Sequence, residues 1–296
     1  MQVFITGASG WIGSALTRDL VGQGHAVVGL ARSDASAERI RAAGARPVRG
    51  DVSDHALIVE QAQRADATAH LAFTLDFDAF DETIDNEVAL VAALADALAD
   101  SGKAFFAASG TPTNPTGVAT EADALDPDGP AGARSRTATA VLALADRGIR
   151  SGLVRMPRTV HGAGDRNGLI ASLVHLDRQL GVAAYVGDGT NRWPAVHVQD
   201  AARLFRLALE AAPAGSVLHA VAEEGVPMRA VAEAISRQTG LPAQAVDPAM
   251  LGVFGALLGG DQPASSARTR ALLGWEPAGP TLLEDLDGGY YTTSVA

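Results

Sequence analysis

The residues best placed to do chemistry come first in the chain: Gly7-Ala8-Ser9-Gly10-Trp11-Ile12-Gly13, three glycines at three-residue steps. A β-branched and aromatic run, Val3-Phe4-Ile5, leads into them, and apolar residues at helical spacing, Ile12, Ala15, Leu16 and Leu20, follow at once. A strand that enters a glycine turn and then a helix presents free backbone N–H groups and the positive end of a helix dipole, which together bind anions. Glycine removes the Cβ that would block a pyrophosphate, so Gly7, Ser9, Gly10, Trp11, Ile12 and Gly13 are read as a dinucleotide-binding turn. A second strand ends at Ala31, where an acid would accept both ribose hydroxyls of NAD. Here Arg32-Ser33 follows instead. An uncharged gap beside a guanidinium and a hydroxyl suits a 2′-phosphate, so the cofactor expected is NADP(H). Asp51-Val52 after the third strand is placed to meet the adenine, with a helix cap as the alternative role for Asp51. Leu71-Ala72-Phe73 after the fourth strand is placed beneath the nicotinamide ribose. His70, just before them, reads as a packed core histidine.

The elements that must position these residues alternate at βαβ spacing. Strands are expected at 25–30, 46–49, 67–73, 104–108 and 152–155, with helices at 35–43, 55–64, 85–99 and 133–146 between them. Parallel strands with right-handed crossovers satisfy this order, giving an α/β fold: a Rossmann-type doubly wound parallel sheet with a smaller C-terminal substrate-binding region. Residues 1–160, with 195–222 returning to them, form the dinucleotide-binding part. Residues 161–194 and 223–296 form the smaller region; across the second half 169–180, 200–211, 228–238 and 268–273 are expected helices and 216–221 a strand. Residues 112–132, rich in proline and glycine, are too long for an ordinary connection and read as a functional loop or lid.

Composition narrows the chemistry. The chain has 296 residues, 47% hydrophobic and 19% charged, in the range of a soluble globular protein. A net charge of −11 argues against nucleic acid and anionic membrane as partners. The absence of cysteine removes thiolate catalysis and disulfides, and seven histidines without paired spacing give no metal site. No targeting segment is read at the start, and the longest apolar stretch, residues 250–260, is too short to span a bilayer. A cytoplasmic location is the expectation.

The motifs in order resemble the extended and atypical short-chain dehydrogenase/reductases, the group that includes the NAD-dependent epimerase/dehydratases. The resemblance rests on Gly7 to Gly13, Arg32-Ser33, Gly50-Asp51-Val52, His70-Leu71-Ala72, Asn86 and Ser109. It continues through Arg155-Met156-Pro157, His161-Gly162-Ala163-Gly164-Asp165, Gly187-Asp188-Gly189-Thr190-Asn191, Val196-His197-Val198-Gln199-Asp200 and Leu273-Gly274-Trp275-Glu276-Pro277. It implies a nicotinamide dinucleotide cofactor, with Pro157 on the nicotinamide side. It also implies a small-molecule substrate and a homodimer built from helices 85–99 and 133–146, with Ala138, Val141, Leu142 and Ala145 as a packing face. Burial of that face in the protein's own core is the competing outcome.

The resemblance breaks at the catalytic pair. Hydride transfer in this group rests on Tyr-x-x-x-Lys, the tyrosine acting as acid or base and the lysine lowering its pKa. Counting back from Arg155 puts Arg134 at the tyrosine position and Ala138 at the lysine position. The one lysine is Lys103 and the tyrosines are Tyr185, Tyr290 and Tyr291, none with a lysine four residues on. By family position the remaining catalytic candidates are Ser109, Thr111, Arg134 and His161. Ser109 would hydrogen-bond a substrate oxygen, Arg134 would orient an anion or stabilise an oxyanion, and His161 would titrate near neutrality. His197 and Asp200 are expected to support the junction between the two regions, and Arg192-Trp193 to face the pocket. Three functions fit: a reductase of a carbonyl, imine or activated alkene using another proton donor, a non-catalytic NADP(H) sensor, and an isomerase or lyase. The reductase is favoured.

Overall fold

The structure is a computed structural model, and it describes residues 1–73, 80–114, 116–128, 132–252 and 254–293. The chain starts with β1 (Gln2–Thr6), α1 (Trp11–Gly22), β2 (Ala26–Ala31), α2 (Asp34–Ala42), β3 (Arg46–Arg49), α3 (His55–Arg64) and β4 (Ala67–His70). It continues through α4 (Phe80–Ala97), β5 (Ala104–Gly110), α5 (Arg134–Ala143), β6 (Arg150–Met156), β7 (Thr159–His161) and α6 (Leu169–Leu180). Next come β8 (Ala183–Val186), β9 (Arg192–His197), α7 (Val198–Ala211), β10 (Ser216–His219), β11 (Glu223–Pro227), α8 (Met228–Thr239) and β12 (Ala243–Val246). The chain closes with α9 (Phe254–Gly259), α10 (Ala267–Leu273), α11 (Leu282–Asp287) and α12 (Tyr290–Thr293).

Seven strands form one sheet in the order β10-β6-β5-β4-β1-β2-β3, with every neighbouring pair parallel. All seven carboxyl ends therefore lie on one edge. The order reverses at β1, which has β4 on one side and β2 on the other, and a ligand crevice opens at such a switch point. Buried on both faces, the strands read as near-continuous apolar runs: Val3, Phe4 and Ile5 are wholly enclosed. One face packs on α1 and α7 through Leu16, Leu20, Phe205 and Leu209, and the other on α3, α4 and α5 through Ile58, Leu90, Leu94 and Val141.

Two smaller sheets follow, β11-β9-β7 and β12-β8, and a separate apolar cluster of Leu173, Trp193, Val231, Ile235, Leu282 and Leu286 sits with them. Their short strands carried no clear two-residue alternation, and of these five strands the sequence announces none. The central elements match expectation closely; β3, α3 and α6 coincide with it at both ends. The expected strand 67–73 ends early, at His70, because Leu71 to Phe73 peel away to pass over the glycine turn.

Long side chains fix the elements to one another. Arg150, at the start of β6, donates to the carbonyls of Ala208 and Ala212 at the end of α7, at 3.1 and 2.9 Å. A cation there answers the negative end of the helix dipole. Asp200 accepts from the N–H groups of Ala278 and Gly279 and holds the Gly274-Trp275 segment, whose indole donates to the Asp200 carbonyl at 3.1 Å. These bonds tie the first turn of α7 to residues 275–279. His197 accepts from Gln199 N–H as the cap of α7.

Candidate functional site

The glycine turn is shaped by contact distances that no Cβ can meet. Gly7 has φ of +73°, and a Cβ there would lie 2.7 Å from the Ala72 nitrogen. A Cβ on Gly13 would lie 2.1 Å from the Gly7 carbonyl oxygen, so α1 can start only where both positions are glycine. The N-cap of α1 is Gly10, and no side chain bonds the first-turn N–H groups. Those donors are left for a ligand, the arrangement a pyrophosphate requires. Trp11 turns its indole outward from this cradle to donate to the Val160 carbonyl at 3.1 Å, tying α1 to β7.

Around the turn, the adjoining strand ends bring the other expected residues to the same edge. Arg32 is exposed beyond the buried, uncharged Ala31, and Ser33 caps α2 by accepting from Ser36 N–H. Arg49, opposite Ala31 across the sheet, lies 3.6 Å from Asp34. Asp51 is exposed and accepts from Ser53, while the cap of α3 is Asp54, so Asp51 is released from the capping role. Val52 is half-buried beside it. Thr6 connects β1 to the Leu71–Phe73 crossing: its hydroxyl accepts from Ala72 N–H at 3.2 Å and meets His70 Nδ1 at 2.8 Å. His70 is buried against Phe105.

On the far side of β1, Phe73, Ala108, Ser109, Gly110, Thr111, Arg134, Met156, Pro157, Arg158 and Leu169 enclose a cavity of about 270 Å³. Ser109 and Thr111 come from the end of β5, Pro157 from the end of β6 and Arg134 from the first turn of α5. Four candidates separated by up to 48 positions thus share one wall. Arg134 stands with its guanidinium 3.8 Å from the centre of the Phe73 ring and donates to the Ala108 carbonyl at 3.3 Å. Burial pulls its pKa, and that of Arg158, below the ordinary guanidinium range; for Arg134 the carboxylate of Glu87 partly offsets this. Ala138, one helical turn beyond Arg134, is buried with Val141 in the core beneath α5, which removes both from the face expected to dimerise. Lys103 sits at the opposite edge of the sheet, before β5, with its ammonium on the carbonyls of Gln63 and Ala65.

Two expectations are corrected. His161 lies outside this cavity: its ring is fully enclosed, and Nδ1 meets Asp285 Oδ2 at 2.6 Å. An imidazole sealed away from solvent and cavity alike has no substrate to exchange a proton with. It belongs to a buried polar group with His197, Glu223 and Asp285, near which Tyr291 donates to Asp165 and accepts from Gly162 N–H. Burial drives the Tyr291 phenol and the carboxyls of Asp165 and Glu223 upward in pKa. Arg192 and Trp193 also miss the cavity. Trp193 is buried in the C-terminal core, and Arg192 forms a bidentate pair with Asp261 at the surface.

Arg158 also lines the cavity, and the sequence reading passed over it. Its signal was its place one residue after Arg155-Met-Pro157, on the way out of β6. A larger groove, about 520 Å³, runs along α6 and α12 and is lined by Asn167, His175, Gln179 and Tyr290 among others. No residue of the glycine turn lines either this groove or the smaller cavity. Among the described residues no group of three histidine or acidic side chains has the arrangement of a metal site, and no helix is long and apolar enough to cross a membrane.

A crevice at the switch point of a parallel sheet, with a glycine turn on one side and Ser109 and Arg134 on the other, defines the class of site. The sequence profile of the NAD dependent epimerase/dehydratase family matches residues 3–221. The chain belongs to that family. It is similar over its whole length to the uncharacterized protein YLL056C of Saccharomyces cerevisiae, with 39% identity covering 98% of this chain and 99% of that one. It is 26% identical to the 2-alkyl-3-oxoalkanoate reductase of Stenotrophomonas maltophilia, covering 82% of this chain and 77% of that one. In fold it superposes on MoeE5, solved in complex with UDP-glucose and NAD, with a TM-score of 0.77 and 24% identity over 99% of this chain and 98% of that one.

Proposed function

We propose that the protein is an NADP(H)-dependent reductase of a small organic carbonyl, imine or activated alkene that works without a Tyr-x-x-x-Lys pair. The observation that carries the reading is the shared edge. An uncapped helix N-terminus that can hold a pyrophosphate and a cavity lined by Ser109, Thr111 and Arg134 both lie at the carboxyl edge of the same sheet. The Stenotrophomonas relative is a reductase by name, of an oxoalkanoate. The cofactor, when bound, supplies a hydride from its nicotinamide.

The chain's own residues do the rest. The N–H groups of the Gly10 to Gly13 turn hold the pyrophosphate, and Leu71, Ala72 and Phe73 with Pro157 flank the nicotinamide half. Asp51 and Val52 flank the adenine. Arg32, assisted by the Ser33 hydroxyl, selects the 2′-phosphate, because the buried Ala31 leaves no carboxylate to repel it. Ser109 or Thr111 donates a hydrogen bond to the substrate's polar atom. Arg134 stabilises negative charge that develops there as the hydride arrives. A guanidinium does not release its proton at neutral pH, so Arg134 acts electrostatically and the proton reaches the product from a hydroxyl or from water.

The test is NADPH consumption against ketones, aldehydes, imines and activated alkenes, together with calorimetric titration of NADPH and NADH. NADPH binding tenfold or more tighter than NADH supports the Arg32 assignment, and equal or tighter NADH binding sinks it. A second reading, a non-catalytic NADP(H) sensor, is favoured by one fact. Counting back from Arg155, Arg134 and Ala138, the latter buried, fall at the positions of the family's proton-transfer pair. Cofactor binding with silence across the whole substrate panel would select it. An isomerase or lyase would convert substrate without net NADPH loss.

A further inference from the structure

Arg134 and Arg158 line the same cavity of about 270 Å³ from opposite sides of the chain's course, one from α5 and one from the exit of β6. Neither forms an ion pair with any described carboxylate, although Arg41, Arg136, Arg147, Arg192, Arg203, Arg206, Arg229 and Arg237 all do. Their hydrogen bonds are few and neutral. Arg134 donates to the Ala108 carbonyl, and Arg158 donates through Nε to the side-chain oxygen of Gln262. Each guanidinium has five N–H donors, and among the described residues one hydrogen bond is formed by each, so most of the donors are open to a ligand. The nearest acid acting on Arg134, Glu87, is engaged by the Thr137 hydroxyl at 3.1 Å and lies 3.7 Å from His70 Nε2.

Two half-buried cations without a described counter-ion carry part of the cost of losing hydration. The arrangement becomes favourable when an anion enters between them. The Phe73 ring lies under the Arg134 guanidinium, whose central carbon is 3.8 Å from the ring centre, and steadies the charge there. Planar forks of this kind bind carboxylate and phosphate oxygens in pairs. The sign of the cavity also runs against the chain's net charge of −11, so it is a local feature and not part of a general basic surface.

From this geometry we infer that the substrate carries an anionic group, a carboxylate or a phosphate, held jointly by Arg134 and Arg158 beside the Ser109 and Thr111 hydroxyls. The inference rests on the reading of the cavity as the substrate site and adds the substrate's charge to it. The reacting centre then lies next to the anchored anion, which accounts for an arginine where a tyrosine acid would stand.

The experiment is a calorimetric titration with three probes of like shape: benzoate, phenyl phosphate and the neutral benzamide. It is run on the free protein and on the NADPH-saturated protein. We expect one or both anions to bind at least tenfold more tightly than benzamide, the tighter of the two identifying the anion. Arg134→Gln and Arg158→Gln should each remove that preference, while Arg134→Lys and Arg158→Lys retain part of it. Circular dichroism establishes that each variant is folded. Equal binding of benzamide and the anions, no anion binding, or an undiminished preference in both glutamine variants would overturn the inference. Anion preference in a protein that fails to bind NADPH would support the anion site and refute the cofactor reading. NADPH binding without anion preference would refute the anion site alone.

Discussion

Single residues set the limits of this site. At Gly13 an added methyl would meet the Gly7 carbonyl at 2.1 Å, a backbone atom that cannot swing aside. Gly13→Ala should therefore weaken NADPH binding at least tenfold and cost about 1–3 kcal/mol of stability through overpacking, read by calorimetry and urea unfolding. His161 calls for the opposite separation of effects. Replacing it by alanine leaves the Asp285 carboxyl buried without its 2.6 Å partner, so we expect a loss of about 2–5 kcal/mol in urea unfolding with NADPH affinity unchanged within twofold. Affinity falling in step with stability would return His161 to the site. Asp177 gives a pH signature. Burial pushes its carboxyl up to about 7, opposed only by one bond from Ala184 N–H. Between pH 4 and 7 the folded chain holds a proton that the unfolded chain has lost, so stability from this group falls as pH rises through that window. Asp177→Asn should raise the melting temperature at pH 8 and leave it nearly unchanged at pH 4; a uniform shift at both would exclude this assignment.

At the level of elements, the decisive contacts join pieces far apart in sequence. Arg150 closes the end of α7 with its guanidinium, and burial lowers its pKa while the helix carbonyls receive its protons. Arg150→Met keeps the apolar stem and removes those bonds, so about 1.5–3 kcal/mol should be lost in denaturant unfolding. A smaller loss would mean that water caps α7 equally well. The same scale explains which parts of the pattern could be read in advance. Helices such as α3 and α6 declare themselves through apolar spacing along one face. β7, β8, β9, β11 and β12 have only three to six residues each and pair with partners up to 60 positions away. Nothing local marks a strand whose pairing is the reason it is a strand.

For the whole molecule, a ligand that binds only the folded chain must stabilise it. NADPH at a hundredfold excess over its dissociation constant contributes about 2.7 kcal/mol, which corresponds to a rise of about 5–10 °C in melting temperature. NADH at the same concentration should give a smaller rise; equal shifts would count against Arg32. By itself the sequence announced the glycine turn, because Gly10 and Gly13 answer contacts with the Gly7 carbonyl inside the same thirteen residues, whereas the demand for glycine at position 7 comes from Leu71 and Ala72 across the sheet. It determined the parallel sheet too, since buried strands alternating with amphipathic helices pack compactly in few ways. It also showed that no tyrosine has a lysine four residues on, the observation from which we propose Arg134 and Ala138 at the positions of the proton-transfer pair. Only the tertiary structure decided which candidates share a cavity. It put Ser109, Thr111 and Arg134 on one wall, sealed His161 against an aspartate 124 positions away, and brought in Arg158, whose charge has meaning only beside that of Arg134. A side chain's type is written in the chain, whereas its burial and its partners are fixed by contacts between distant segments.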